Sequence, residues 1–164
     1  GEAYFKVAKN TEHPFVVTAG ELEVLVTGTT FGVRAYKDEK DIQTTLESGQ
    51  VTVRVEGKSV KLVPNKQVLF NKLTMGMEVR DVDVDLYLAW ADGRLVYDNC
   101  PLEKILTDLG RWYNMDVFYS RDELRSYQFS LNMKKHEEFI QVLELIGKTG
   151  EVQFEVKDNT VIVR

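Results

Sequence analysis

Cysteine is nearly absent from the sequence, since Cys100 is the only one in 164 residues. A single cysteine excludes an internal disulfide and a zinc site built from several thiolates. It does not identify the cellular compartment, because oxidising compartments also hold proteins with few cysteines. Any chemistry in this chain therefore has to come from other residue types.

Long apolar runs and concentrated positive charge are missing as well. No apolar run approaches the roughly 20 residues that cross a bilayer, and the stretch GEAYFKVAKN at the start lacks the pattern of a signal peptide. The 21 Lys and Arg form no basic stripe, and the formal net charge is -5. The sequence thus argues against a nucleic-acid partner and predicts a soluble piece, which can belong to a longer protein.

Catalytic and cofactor-binding motifs are absent too. His13 and His136 have no Cys, Ser or second His at the spacing of a metal site or a triad, so surface or capping roles are expected. Gly147–Thr149 resembles the end of a phosphate-binding loop, but that motif needs a glycine where Val142 stands. We therefore expect no enzyme acting on a substrate, no metal site and no cofactor.

Three carboxylates, Asp81, Asp83 and Asp85, alternate with apolar residues and predict one charged face of an extended segment. A calcium site would need carbonyl and further carboxylate ligands in a tight loop. A solvated strand face, which also opposes edge-to-edge pairing, is the better interpretation.

Residues 1 to about 85 carry the two-residue period of β-strands. The segment Val51–Val55, for example, places three valines on one face and Thr52 and Arg54 on the other. Turn signals separate the segments at short intervals, and 43% hydrophobic residues suffice for a core. We predict an all-β domain over 1–85, arranged as a sandwich, a roll or a short solenoid. Its strands are expected at Ala3–Val7, Phe15–Thr18, Leu22–Thr27, Phe31–Tyr36, Ile42–Leu46, Val51–Val55, Val60–Val63, Val68–Phe70 and Met77–Val84.

The segment Trp90–Leu102 marks a change to the 3.6-residue period of helices. Leu95–Asp98 is predicted as a strand, and Pro101 sits where a helix can begin, with Asp98 or Asn99 as its cap. An apolar stripe that ends at Trp112 predicts the helix itself. Later elements are expected as strands at Met115–Tyr119, Tyr127–Met133, Val152–Lys157 and Thr160–Arg164, the last two joined by Asp158-Asn159, and as a helix from about Glu137 to Lys148 before Gly150.

The second half repeats its apolar pattern at an interval of 37 positions. This predicts a duplicated β-α-β domain over 86–164, with two helices on one face of a small mixed sheet, and an α+β chain overall. The alternative is that any two amphipathic helix-strand pairs would align this well. The seven positions Leu102, Ile105, Leu106, Leu109, Met115, Val117 and Tyr119 align with Phe139, Val142, Leu143, Ile146, Val152, Phe154 and Val156.

Spaced segments of the first half resemble the periplasmic domain of FecR-type anti-sigma regulators: Gly1–Val7, Pro14–Val17, Gly28–Val33, Leu46–Val51 and Leu62–Pro64. The stretch Trp90–Leu102 resembles the start of the C-terminal domain that follows it in Bacteroides-type members. Together the two resemblances cover essentially the whole chain. That C-terminal domain is similar to the secretin and TonB N-terminal short domain, a duplicated β-α-β fold of the kind that the repeat predicts.

The resemblance implies a cell-surface signalling protein that is periplasmic and, at full length, attached to the inner membrane. In the family a short cytoplasmic segment holds an extracytoplasmic-function sigma factor and one transmembrane helix follows; we expect both outside these residues. The periplasmic part receives a signal from the signalling domain of a TonB-dependent outer-membrane transducer, which is loaded with a ferric siderophore or a glycan. The implied partners are therefore that signalling domain and, through the cytoplasmic segment, the sigma factor.

Binding between domains is the mechanism that this predicts, because a small sheet leaves strand edges to which a partner can add a strand. The candidate edges are Tyr127–Met133 and Thr160–Arg164. Trp112 continues the stripe of the first helix and is expected in the core, whereas Trp90 could anchor a partner or seal the boundary between the domains. The candidate partner-binding residues are Tyr127, Phe129, Leu131, Met133 and Trp90.

The resemblance also implies a chemical hypothesis at Gly28-Thr29. Some family members cleave themselves at a Gly-Thr bond, where the threonine hydroxyl attacks the preceding carbonyl and water opens the resulting ester. The dipeptide stands at the matching position, although no His or Lys is evident nearby in sequence as a base. We prefer the structural alternative, in which Gly28 supplies a bend and Thr29 starts the next strand.

Two other classes of function remain open from the sequence. A periplasmic carbohydrate-binding module could stack Trp90 and exposed tyrosines on sugar rings. A structural domain of a secretion channel could carry the same short domain and would assemble into rings.

Overall fold

The structure is a computed structural model that describes residues 1–134 and 139–164. The chain divides into two compact units, Gly1–Ala91 and Asp92–Arg164, each with its own apolar core. His136 and the predicted helix start at Glu137 lie outside the described residues. No helix in the described ranges combines the length and the apolar character that a membrane span requires.

The strands of the first unit form two antiparallel sheets, one of five strands and one of four. The five-stranded sheet has the order β1-β4-β5-β8-β9, and the four-stranded sheet has the order β2-β3-β6-β7. Consecutive strands thus pair as hairpins, and the chain passes from one sheet to the other between hairpins. The strands are β1 (Glu2–Lys6), β2 (Phe15–Ala19), β3 (Leu22–Val26), β4 (Thr30–Arg34), β5 (Asp41–Ser48), β6 (Val51–Val55), β7 (Lys58–Leu62), β8 (Lys66–Asn71) and β9 (Gly76–Asp81).

Alternation along the strands builds the core of this unit. All three valines of β6 are buried, while Thr52 is half-buried and Arg54 is exposed. One cluster joins Leu22 and Val53 of the smaller sheet to Phe31 and Phe70 of the larger sheet. Because both sheets contribute to a single cluster, they face each other as a sandwich.

Tight turns fix the register of the hairpins. Glu56 and Gly57 connect β6 to β7 and have φ values of 44° and 78°. Positive φ at both positions gives the turn a twist that matches the flanking strands, which is why glycine is favoured there. Gly20, at φ 61°, begins the corresponding turn between β2 and β3.

The carboxylate segment differs from the prediction of one charged strand face. β9 ends at Asp81, and a short helix, α1 (Asp85–Leu88), begins four residues later. The Asp85 backbone N–H donates to Asp83 Oδ1 at 3.1 Å, and Lys66 pairs with Asp81 at 2.6 Å. An aspartate that accepts a bond from the backbone two residues ahead favours a turn over an extended strand.

α1 packs on the outer face of the five-stranded sheet. Gly32 leaves the space that the Leu88 side chain fills, since an added Cβ would collide with Leu88 Cδ2. Arg80 donates to the Gln67 side-chain oxygen at 2.9 Å and to the Tyr87 hydroxyl at 3.1 Å. The fully buried Gln67 is therefore hydrogen-bonded, as a buried amide must be.

The described part of the second unit contains the remaining strands and two longer helices. The 3₁₀ helix Asp122–Ser126 between β11 and β12 is called the Leu124 turn below. The elements are β10 (Arg94–Pro101), α2 (Leu102–Tyr113), β11 (Asp116–Tyr119), β12 (Gln128–Lys134), α3 (Phe139–Gly147), β13 (Phe154–Lys157) and β14 (Thr160–Val163).

Among the described residues of this unit, the strands form two sheets and not one. β10 pairs antiparallel with β12, while β14 lies between β11, to which it is parallel, and β13, to which it is antiparallel. The prediction of one small mixed sheet was wrong, because alternation identifies the buried face of a strand but not its neighbour. The two-residue turn Asp158-Asn159 joins β13 to β14, as predicted.

The repeat is visible in the core. We call β10, α2 and β11 the first repeat and β12, α3 and β13 the second repeat. The four aligned apolar positions on each helix are buried in one cluster: Leu102, Ile105, Leu106 and Leu109 on α2 and Phe139, Val142, Leu143 and Ile146 on α3. Gly110 and Gly147 also align and face equivalent backbone carbonyls, those of Met115 and Val152.

Candidate functional site

The predicted edge Tyr127–Met133 contains side chains of the core. Phe129 and Leu131 on β12 are only 6% and 8% exposed, and Tyr127 and Met133 pack against the same cluster. These four side chains contribute to the stability of the unit, so a partner would meet the backbone edge of β12 and its polar outer face. Partner binding at this edge remains a prediction.

Trp90 lies in the first unit, in the 3₁₀ helix Ala89–Asp92 that follows α1. It is half-buried, and its Nε1 donates to the Tyr87 carbonyl at 2.8 Å. This hydrogen bond accounts for the polar atom of the ring. Its role as an anchor also remains a prediction.

The predicted edge Thr160–Arg164 is not an edge. β14 is hydrogen-bonded on both sides, with Val161 opposite Val117 on β11 and Val156 on β13. Val161 and Val163 are fully buried. Within the described ranges, the open edges of this three-stranded sheet belong to β11 and β13.

The predicted caps of α2 serve a different purpose. A β-bulge interrupts β10, where Asn99 has φ 42° and its backbone N–H donates to Ser130 Oγ at 2.8 Å. The Ser130 hydroxyl donates to Asp98 Oδ1 at 3.1 Å. The first turn of α2 is held instead by the Leu102 N–H, which donates to the Tyr127 carbonyl at 2.7 Å.

An apolar groove of about 660 Å³ lies between α3 and β13. Ile140 and Val156 line it and are 51% and 37% exposed, whereas Leu143 beneath them is buried. Glu144 and Lys148 line it as well. We call this surface the α3–β13 groove. Alternation and turn signals did not predict it, although the sequence carries one signal: an isoleucine occupies the position on α3 where α2 has Glu103.

The Gly28-Thr29 bond is held tightly in the first unit. Gly28 has φ 141°, and an added Cβ would lie 2.7 Å from Lys9 Cα. A second glycine, Gly49, closes the other side, because its Cβ would lie 2.6 Å from the Gly28 carbonyl oxygen. Neither glycine tolerates a side chain, so the bend at Gly28 is a steric requirement.

The Thr29 hydroxyl is buried and already engaged. Thr29 is 3% exposed, and its Oγ1 donates to the Gln50 carbonyl at 2.8 Å. The backbone of Thr29 exchanges two hydrogen bonds with Val7. The structure brings the side-chain stem of Lys9 beside Gly28, a neighbour that the sequence did not reveal. The hydroxyl donates to a carbonyl here and not to a base.

Reactive and metal-binding groups are sparse. Burial raises the pKa of the half-buried Cys100 thiol, which opposes the nucleophilic thiolate at neutral pH. In residues 1–134 and 139–164, no cluster of three or more His, Cys, Asp or Glu is placed to hold a metal ion.

Comparison with protein families finds two matches that follow one another along the chain. The family model described as FecR protein matches residues 1–52, and the one described as FecR, C-terminal, matches residues 94–163. A search of the curated proteins finds no significant match.

Two crystal structures of a candidate anti-sigma factor from Parabacteroides distasonis ATCC 8503 are similar to this chain. The first has a TM-score of 0.83 and 22% identity, over 100% of this chain and 77% of that one. The second has a TM-score of 0.82 and 23% identity, over 99% of this chain and 76% of that one. At such identity the likeness concerns the fold.

Proposed function

Since the chain belongs to the FecR family of anti-sigma factors, we propose that it is the periplasmic, signal-receiving part of a membrane-anchored regulator. In this proposal it binds the signalling domain of a TonB-dependent outer-membrane transducer and thereby controls an extracytoplasmic-function sigma factor. Sigma-factor binding would belong to another segment of the regulator, on the cytoplasmic side of the inner membrane.

One observation supports this role most strongly. The second unit, which the C-terminal family model matches, has open strand edges at β11 and β13 in the described ranges and an apolar groove beside β13. Open edges and apolar grooves are the surfaces through which domains add strands or insert side chains. A receiver of protein signals needs such a surface, and a catalyst would need activated groups instead.

The experiment is a pull-down with the intact 164-residue chain and the signalling domains of the transducers of the same organism. We expect one domain, or a few related ones, to be captured reproducibly. Capture of none, together with tryptophan fluorescence that responds to a glycan, would favour the carbohydrate-binding alternative. Ring-sized particles in sedimentation would favour the secretion-channel alternative.

For Gly28-Thr29 we propose a structural role in place of self-cleavage. The close contacts around Gly28 and the hydrogen bond from Thr29 Oγ1 to the Gln50 carbonyl support this role, in which the dipeptide fixes the register of β4 against the neighbouring strands. Mass spectrometry of freshly purified and long-incubated protein tests this. We expect one intact mass at both times, and fragments that separate at residue 28 would overturn the structural role.

A further inference from the structure

The two repeats of the second unit differ in how the outer side of each helix meets the following strand. In the first repeat the aligned positions beside the strand are Glu103 on α2 and Tyr119 on β11. In the second repeat they are Ile140 on α3 and Val156 on β13. The positions of the charged Glu103 and the aromatic Tyr119 are thus taken in the second repeat by two aliphatic side chains, both partly exposed.

The first repeat covers this position with its own chain. The Leu124 turn packs on both α2 and β11, and Leu124 is fully buried in the core. Arg125 of the same turn pairs with Glu103 at 2.9 Å and lies over the Tyr119 ring at 4.2 Å. Arg125 therefore touches both residues that align with Ile140 and Val156.

The second repeat has no such cover among the described residues. β13 passes directly into β14 through the two residues Asp158 and Asn159, which leaves no room for a turn like the one that carries Leu124. The α3–β13 groove stays open over about 660 Å³, with Ile140 51% exposed. In the first repeat the equivalent surface is covered by a buried leucine and an adjacent arginine, Leu124 and Arg125.

We propose that the α3–β13 groove is the docking site for a short segment of a partner protein that inserts an aliphatic side chain between Ile140 and Val156. The covering segment in the first repeat reads Asp-Glu-Leu-Arg, with acids before the leucine and a base after it. The lining of the groove includes a base and an acid, Lys148 and Glu144, with which the acids and the base of such a segment can pair. The inference rests on the proposed function in one respect, that the partner is a transducer's signalling domain.

The test compares Ile140→Glu with Leu145→Glu in the intact chain. Both residues are on α3 and similarly exposed, at 51% and 45%, but only Ile140 lines the groove. Calorimetry with the signalling domain that the wild type captures should give at least about tenfold weaker binding for Ile140→Glu and unchanged binding for Leu145→Glu. If both variants bind with wild-type affinity, the groove is not the docking site, whereas the proposed function is unaffected.

Thermal melting checks that the variants fold. If Ile140→Glu does not fold, Val156→Thr, which keeps the shape of the side chain, replaces it in the binding experiment. If no signalling domain binds, a peptide of residues 121–127 is added to the wild-type protein. Methyl NMR shifts confined to Ile140 and Val156 would support the groove as a docking site, and the absence of such shifts would overturn that role.

Self-association is the other outcome to check. If the wild-type protein forms a dimer and Ile140→Glu dissociates it, the occupant of the groove is a second copy of the chain and the proposal is overturned.

Discussion

The two repeats of the second unit share the same apolar spacing but differ in whether the surface beside the helix is covered. Each has a helix with the four aligned apolar positions buried, a glycine near the helix end and a strand that pairs with β14. The Leu124 turn covers the first repeat, whereas only a two-residue turn follows β13, and no described residue covers the second repeat in the same way. The connection after each repeat therefore decides whether the surface between its helix and strand is covered by the chain itself.

The largest effect on stability is expected at Leu124, the buried residue of the Leu124 turn. Leu124→Ala should lower the free energy of unfolding by about 2–5 kcal/mol, because Leu124 is fully buried and its loss leaves a cavity. The matched change Leu145→Ala, at a position on α3 that is 45% exposed, should cost well under about 1 kcal/mol. Urea unfolding of the intact chain measures both. Equal effects would show that the Leu124 turn is not part of the core.

The aligned glycines provide a second pair. Gly110→Ala should destabilise by about 1–3 kcal/mol, since the new Cβ would lie 2.7 Å from the Met115 carbonyl oxygen, which is backbone and cannot move aside cheaply. In Gly147→Ala the Cβ would lie 3.7 Å from the Val152 oxygen, an ordinary contact.

Gly147→Ala should therefore be neutral or stabilise by up to about 1 kcal/mol, through the higher helix propensity of alanine. The same urea experiment decides between the two expectations. A destabilising Gly147→Ala would mean that the second repeat is packed as tightly as the first.

The smallest expected effect is on the pH dependence of stability, and it arises at Tyr119, which aligns with Val156 in the second repeat. Burial raises the pKa of Tyr119 to about 12, and its hydroxyl has no hydrogen-bond partner within the described ranges. The folded protein keeps this proton while the unfolded chain releases it near pH 10, so stability should fall between about pH 10 and 12.

Tyr119→Phe removes that ionisation, and its urea midpoint should fall less than that of the wild type between pH 9 and 11.5. Absorbance of the phenolate provides a direct check of the titration. Parallel pH curves for the two proteins would contradict a buried Tyr119 hydroxyl.

Hydrophobic periodicity predicted the α+β composition and most strands, because the face on which a side chain lies is a local property of the backbone. It also predicted the duplicated apolar positions of α2 and α3. The pairing of β10 with β12 and the central place of β14 could not be predicted this way. Strand neighbours are set by contacts between residues far apart in sequence, which a single alternating pattern does not encode.

The predicted partner-binding residues and the α3–β13 groove lie in different places. Phe129 and Leu131 were expected at a binding edge, yet the alternation that made them conspicuous places them in the core. The more informative signal was a mismatch between the repeats, an isoleucine at 140 where the first repeat has Glu103. The neighbourhood of Gly28 and Lys9 depended on tertiary contacts and had no signal in the sequence.

Titration calorimetry with the captured domain measures most directly whether the intact chain binds the signalling domain of a transducer. We expect saturable one-to-one binding with a dissociation constant of about 1 µM or tighter, as is usual for specific domain recognition. Heats no larger than those of dilution for every signalling domain of the same organism would contradict it.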